Sequence, residues 1–301
     1  MGRRCRTCLE NWTWRRGGVY GHGMRTIGDF EPTLSQIMLA IAKDTRFRCR
    51  PGFGQILSEN PRLVYAISHG APLSWLPAAA LLTAHAAARG GKERRPMGVM
   101  DRFFFSLPGL KHLAAHLTGS EKSLGFTELL ESFNRGDGTD LIVFPEGSNC
   151  FFGDPAVLQP FRSPRYVEIA IEAGCPILVC AHRGSEGWGR SIEVDSEWLK
   201  SLDYLPKIVF DFLEARLKKT GLFTLPLWPQ PMEKFDMICE LMPLSLTSAD
   251  LSSDPDVRRS QILAESERVR AKMQALLDEL DSGALRASEV EELGSGPVGN
   301  A

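Results

Sequence analysis

The chain has 301 residues, 43% of them hydrophobic, with a formal net charge of −2. That supports one sizeable core with extensions. The charge balance argues against nucleic acid as a partner, and no apolar run approaches the roughly 20 residues of a membrane-spanning helix.

Residues 1–27 are rich in Arg, Trp and Gly. They lack the apolar centre of a secretory signal and are expected to be poorly ordered. The protein is therefore expected in the cytoplasm, either free or as a peripheral protein on the inner face of a membrane. Cys5 and Cys8 form one C-x-x-C, with His22 the only further ligand type nearby. A structural zinc site needs four ligands, so no metal is predicted.

A short helix is predicted over Thr33–Lys43, centred on Ile37, Leu39 and Ile41. Leu63–Ile67 reads as a buried strand that delivers His69 at its C-terminal end. Gly70-Ala-Pro-Leu-Ser74 follows, then a helical pattern from Trp75 to Ala88. Met97-Gly-Val-Met100 leads to Asp101 and a helical pattern to His116, broken at Pro108. Leu124–Phe133 is the next helix, and Gly136-Asp-Gly138 its exit turn.

Asp140–Phe144 repeats the plan of the first strand. It is apolar and runs straight into Pro145, Glu146, Gly147, Ser148 and Asn149. Pro145 ends the pairing, Gly147 permits a tight turn, and Glu146 is held at the carboxyl edge of a sheet, where ligands bind in open α/β folds. His69 on the same edge is the natural general base near neutral pH. Phe161-Arg162-Ser-Pro-Arg165 precedes a helix that ends at Gly174, and a strand through Ile177–Val179 follows. Cys175 and Cys180 flank that strand as core thiols. The strand opens into the polar loop from His182 to Arg190, where His182, Arg183 and Glu186 are candidate acceptor-binding residues.

Leu205–Gly221 reads as an amphipathic helix. Its apolar side could pack on the domain or, with Trp228 beyond it, touch a bilayer. Pro255–Asp281 is one charged helix with a thin stripe of Ile262, Val269, Met273, Leu276 and Leu277. Ser282–Ala301 has a disordered composition. The predicted organisation is 1–27 as a poorly ordered N-terminus, 28–245 as the α/β domain, 246–281 as a C-terminal helical extension and 282–301 as a tail. Alternating strands and helices predict a mixed, partly parallel sheet flanked by helices.

His69 followed by the Phe144-Pro-Glu-Gly147 block resembles the signature of the glycerolipid (1-acyl-glycerol-3-phosphate) acyltransferase superfamily. Phe161–Pro164 and the helix–Gly174–strand segment are similar to segments of that family too, and the likeness covers about Arg46 to Ala181. The resemblance implies an acyltransferase-like fold and transfer of a fatty acyl group from coenzyme A or acyl carrier protein to a hydroxyl of a lipid-like acceptor. It implies no metal or organic cofactor. His69 would be the general base and Ser74 its neighbour in catalysis. Glu146, Gly147, Ser148, Asn149, Arg162, Arg165, His182 and Arg183 would bind substrate.

Two departures stand out. The family has Asp five residues after the His, where this chain has Ser74, which carries no charge to hold and stabilise an imidazolium. Either a carboxylate such as Asp101 approaches from elsewhere, or turnover is slow or absent. Ser148-Asn149 also replaces the Thr-Arg that usually follows the Phe-Pro-Glu-Gly block, which removes a phosphate-binding cation. The competing expectations are a non-catalytic binder of lipids or acyl thioesters, and a thioesterase. The latter would need Cys150 paired with His69, since no G-x-S-x-G elbow is present.

Overall fold

The computed structural model describes residues 25–100, 105, 110–118, 120–136, 138–194 and 207–283. The expectations for residues 1–24 (with Cys5, Cys8 and His22), for Asp101 and for residues 284–301 lie outside the described residues.

Helix α1 spans Ile27–Ile41, so it begins earlier than the sequence pattern predicted. The apolar residues Ile37, Leu39 and Ile41 place the predicted start at Thr33. Instead the Thr26 N–H and hydroxyl bond the Asp29 carboxylate at 2.7 and 3.1 Å, and the first helical N–H groups donate to the carbonyls of Arg94 and Lys92. With its first N–H groups met, the helix starts at Ile27 and runs on through Pro32 in its second turn. Strand β1 follows at once over Ala42–Arg50, then helix α2 over Phe53–Glu59 and strand β2 over Leu63–Ile67. Helix α3 spans Trp75–Ala88, strand β3 Arg95–Gly98, helix α4 Leu110–Thr118 and helix α5 Phe126–Asn134. Strand β4 covers Thr139–Val143, helix α6 Arg165–Ala173 and strand β5 Ile177–Arg183. Strands β6 (Gly189–Glu193) and β7 (Leu222–Pro226) form a separate ribbon, with helix α7 (Lys207–Thr220) between them in sequence. Strand β8 (Met232–Met242) and helix α8 (Pro255–Asp281) complete the chain.

The main sheet has six strands in the order β1-β8-β5-β2-β4-β3. Strands β5, β2, β4 and β3 run parallel to one another. Strand β8 is antiparallel to β5 and parallel to β1, so the sheet is mixed and mostly parallel. Because side chains alternate along a strand, β2 sends Leu63, Tyr65 and Ile67 to one face and Val64 and Ala66 to the other. The first face packs under α1, α2 and α3, the second under α5, α6 and α8. The stripe read on α8 (Ile262, Val269, Met273, Leu276, Leu277) is buried in that second core. Asp254 caps α8 by accepting from the N–H groups of Asp256 and Val257, and Arg258 ties it to Glu168 and Glu172 of α6.

A buried ion pair fixes the far edge of the sheet. Arg94 grips Asp140 through Nε at 2.7 Å and Nη2 at 2.5 Å, and also bonds the carbonyls of Leu57 and Asn60. Among the described residues no helix is long and apolar enough to cross a membrane.

Candidate functional site

Parallel pairing of β2, β4 and β5 puts their C-terminal ends on one edge. Three polar segments therefore meet: Ser68–Ser74 after β2, Phe144–Phe151 after β4, and His182–Trp188 at the end of β5. His69 keeps 9% of its surface exposed, whereas Glu146 keeps 1% and Ser74 none. Of the three, His69 keeps the most exposure.

Gly70, at φ +65°, takes the left-handed conformation that turns the chain back under the ring. His69 Nδ1 then lies 3.1 Å from the carbonyl of Ala71. A carbonyl only accepts, so Nδ1 carries the hydrogen and Nε2 holds the lone pair. The ring packs against Phe144 with centroids 5.1 Å apart. Burial pushes its pKa down to about 4, so it is neutral near pH 7. Ser74 does not bond the ring; its hydroxyl faces the Ser185 carbonyl at 3.5 Å.

Glu146 bridges two loops. One carboxylate oxygen accepts the His69 backbone N–H at 2.6 Å, the other the Gln159 N–H at 2.7 Å. Burial pushes its pKa up to about 7, against the pull of these two donors. The N–H groups of Gly147 and Asn149 donate to the carbonyls of Phe144 and Glu146, within the short 3-10 turn Gly147–Phe151. Neither is left to meet an oxyanion. Cys150 is buried, and its thiol is pushed well above its ordinary value, first by burial and then by Glu146. Such a thiol is a poor nucleophile, and no bond joins it to the His69 ring. Cys175 and Cys180 are buried free thiols.

His182 lies beneath this turn. Its Nε2–H donates to the Ser68 carbonyl at 2.8 Å and its backbone N–H to the Ser68 hydroxyl at 3.2 Å, while Nδ1 is buried without a partner among the described residues. Burial, against the pull of the Ser68 bond and with help from the neighbouring His69, pushes its pKa down to about 3. His182 therefore grips the residue before His69 rather than facing outward. Arg183 forms a two-pronged pair with Asp281 of α8, at 2.7 and 2.8 Å. Arg165 is exposed at the start of α6. Arg162 donates to the Ser148 hydroxyl at 3.0 Å, and Asn149 accepts from Arg216 of α7. These two bonds bring two guanidinium groups onto one loop, and the Arg162 pKa is lowered, first by burial and then by the Arg216 charge.

Sequence reasoning missed Ala71, Gln159 and Arg216. The first two act through backbone groups that every residue type carries, so no side-chain signal marks them. Arg216 looks like one more charge on a solvated helix until α7 is placed. Among the described residues no cluster of three or more His, Cys, Asp or Glu side chains could hold a metal ion.

A scan against protein-family models finds no match, and a search of curated proteins finds no similar chain.

Proposed function

We propose that the chain has an acyltransferase-like fold and moves a fatty acyl group from a thioester of coenzyme A or acyl carrier protein to a hydroxyl of a lipid-like acceptor. The observation that carries this reading is the His69 tautomer. With Nδ1–H fixed on the Ala71 carbonyl, the Nε2 lone pair is left without a hydrogen-bond donor among the described residues, beside the Phe-Pro-Glu-Gly loop. In the reaction Nε2 takes the acceptor's hydroxyl proton as that oxygen bonds the thioester carbonyl carbon. The carbon–sulfur bond then breaks, and the imidazolium returns the proton to the departing sulfur, releasing a free thiol. Glu146 acts by holding the His69 loop to the Gln159 segment. Arg162 and Arg216 supply positive charge beside that loop for an anionic group on the substrate.

A base whose conjugate acid has a pKa of about 4 is weak. Among the described residues no carboxylate touches the ring to stabilise its charged form, and the Ala71 carbonyl orients it without a full charge. This favours slow transfer, and it supports a second reading in which the chain binds acyl thioesters without turnover. Thiol release from a panel of acyl-CoAs, with and without lipid hydroxyl acceptors, tests both. Release that depends on acceptor and disappears in His69→Ala is the expected result. Release without acceptor, also lost in that variant, makes the protein a thioesterase. Acyl-CoA binding without release selects the non-catalytic reading.

A further inference from the structure

Residues Leu225, Pro226, Leu227 and Trp228 are all exposed, and Trp228 is 87% exposed. This stretch is stapled in place. The Leu227 N–H donates to the Trp188 carbonyl at 2.8 Å, and the buried Trp188 indole donates to the Gln230 carbonyl at 2.9 Å. On the β6–β7 ribbon Arg190 is the register partner of Leu225, and Ser191 of Thr224. The hydroxyls of Ser191 and Thr224 turn inward to the Gly153 carbonyl. By alternation Arg190 and Leu225 share the opposite, outer side.

Arg190 is exposed, and no carboxylate among the described residues pairs with it. Glu186, in the turn before β6, accepts the Gly184 N–H. The outer strip is therefore apolar, with a cation that no described carboxylate pairs with. It also adjoins the site: Gly189, the partner of Pro226, approaches the His69 loop so closely that an added Cβ would lie 3.0 Å from the Ala71 Cβ.

We infer that Leu225, Leu227, Trp228 and Arg190 seat the protein on an anionic phospholipid surface, with the His69 edge beside the lipid. A rigid apolar strip ending in an indole partitions into the headgroup region, and a cation adds attraction to anionic lipid. The choice of a lipid surface over a protein partner rests on the acyl-transfer reading, which needs a lipid-like substrate at the adjoining edge.

The test sediments the full chain with vesicles of phosphatidylcholine alone, or of phosphatidylcholine mixed with phosphatidylglycerol. The wild type is expected to prefer the mixed vesicles. The double variant Leu227→Ser, Trp228→Ser should bind them about tenfold more weakly, and Arg190→Gln should lose the preference for anionic lipid. These side chains are exposed, and circular dichroism checks that the variants fold. A wild type that ignores mixed vesicles, or a double variant that binds as the wild type does, overturns the inference. So does a dimer in solution that the double variant dissociates. Thiol release with detergent-dispersed acceptor is measured separately. Vesicle binding without turnover keeps the seat and removes the acyl-transfer reading, and turnover without vesicle binding does the reverse.

Discussion

Replacing Glu146 by Gln keeps the side chain's shape and removes its charge. The carboxyl is 1% exposed and accepts two backbone N–H groups, one on each oxygen. A Gln amide has one accepting oxygen, so either the His69 or the Gln159 N–H would face an NH2 group. Leaving a buried N–H unmet costs about 1 to 3 kcal/mol. The pH dependence then reports on the charge. The folded carboxyl has a pKa of about 7, against an ordinary 4.5. Between those values the folded chain keeps a proton that the unfolded chain has released. The resulting stability is fully present below 4.5 and is lost as pH rises through about 7. From about pH 5 to about pH 8 the loss amounts to about 2 to 3 kcal/mol. Glu146→Gln lacks this dependence. Urea unfolding of both proteins across that range should show the wild type's advantage greatest in acid and shrinking by that amount in alkali. An advantage that grows with pH would refute the reasoning, because it would mean that the two N–H donors outweigh burial and hold the carboxylate ionised.

His69 stays neutral down to about pH 4, so thiol release should fall away on the acid side near that value, and a midpoint near 6.5 would contradict the buried imidazole. His182→Leu removes the donor to the Ser68 carbonyl and should lower kcat with KM for acyl-CoA unchanged. His182→Gln, which can still donate, should restore most of the rate; two variants that both match the wild type would remove His182 from the positioning of His69. Arg94→Met strands Asp140 without a charged partner and should cost about 3 to 5 kcal/mol in urea unfolding, and a loss below about 1 kcal/mol would show that the pair is not held as drawn.

Helix α8 was legible from its stripe, because periodicity is a local property. The strands that deliver His69 and Glu146 were legible for the same reason: each is a short apolar run ended by turn residues. Strand β1 was not. Its first half, Lys43 to Arg46, is a polar run and only Arg46–Arg50 alternates charged with apolar residues, and it becomes a strand by pairing with β8, nearly the length of the domain away in sequence. Two of its cations, Arg48 and Arg50, are met by Glu279 of α8, a partner that only the folded chain supplies. The same division runs through the site. The sequence marked an imidazole and a carboxylate at the ends of two strands, since residue type and turn chemistry travel with the local chain. The tertiary structure alone decided that the Ala71 carbonyl holds the ring, that Glu146 bonds two backbone N–H groups, and that His182 grips Ser68. Those bonds depend on how three loops, each following a different strand, converge on one edge, and the strand order that brings them together is a non-local property of the chain.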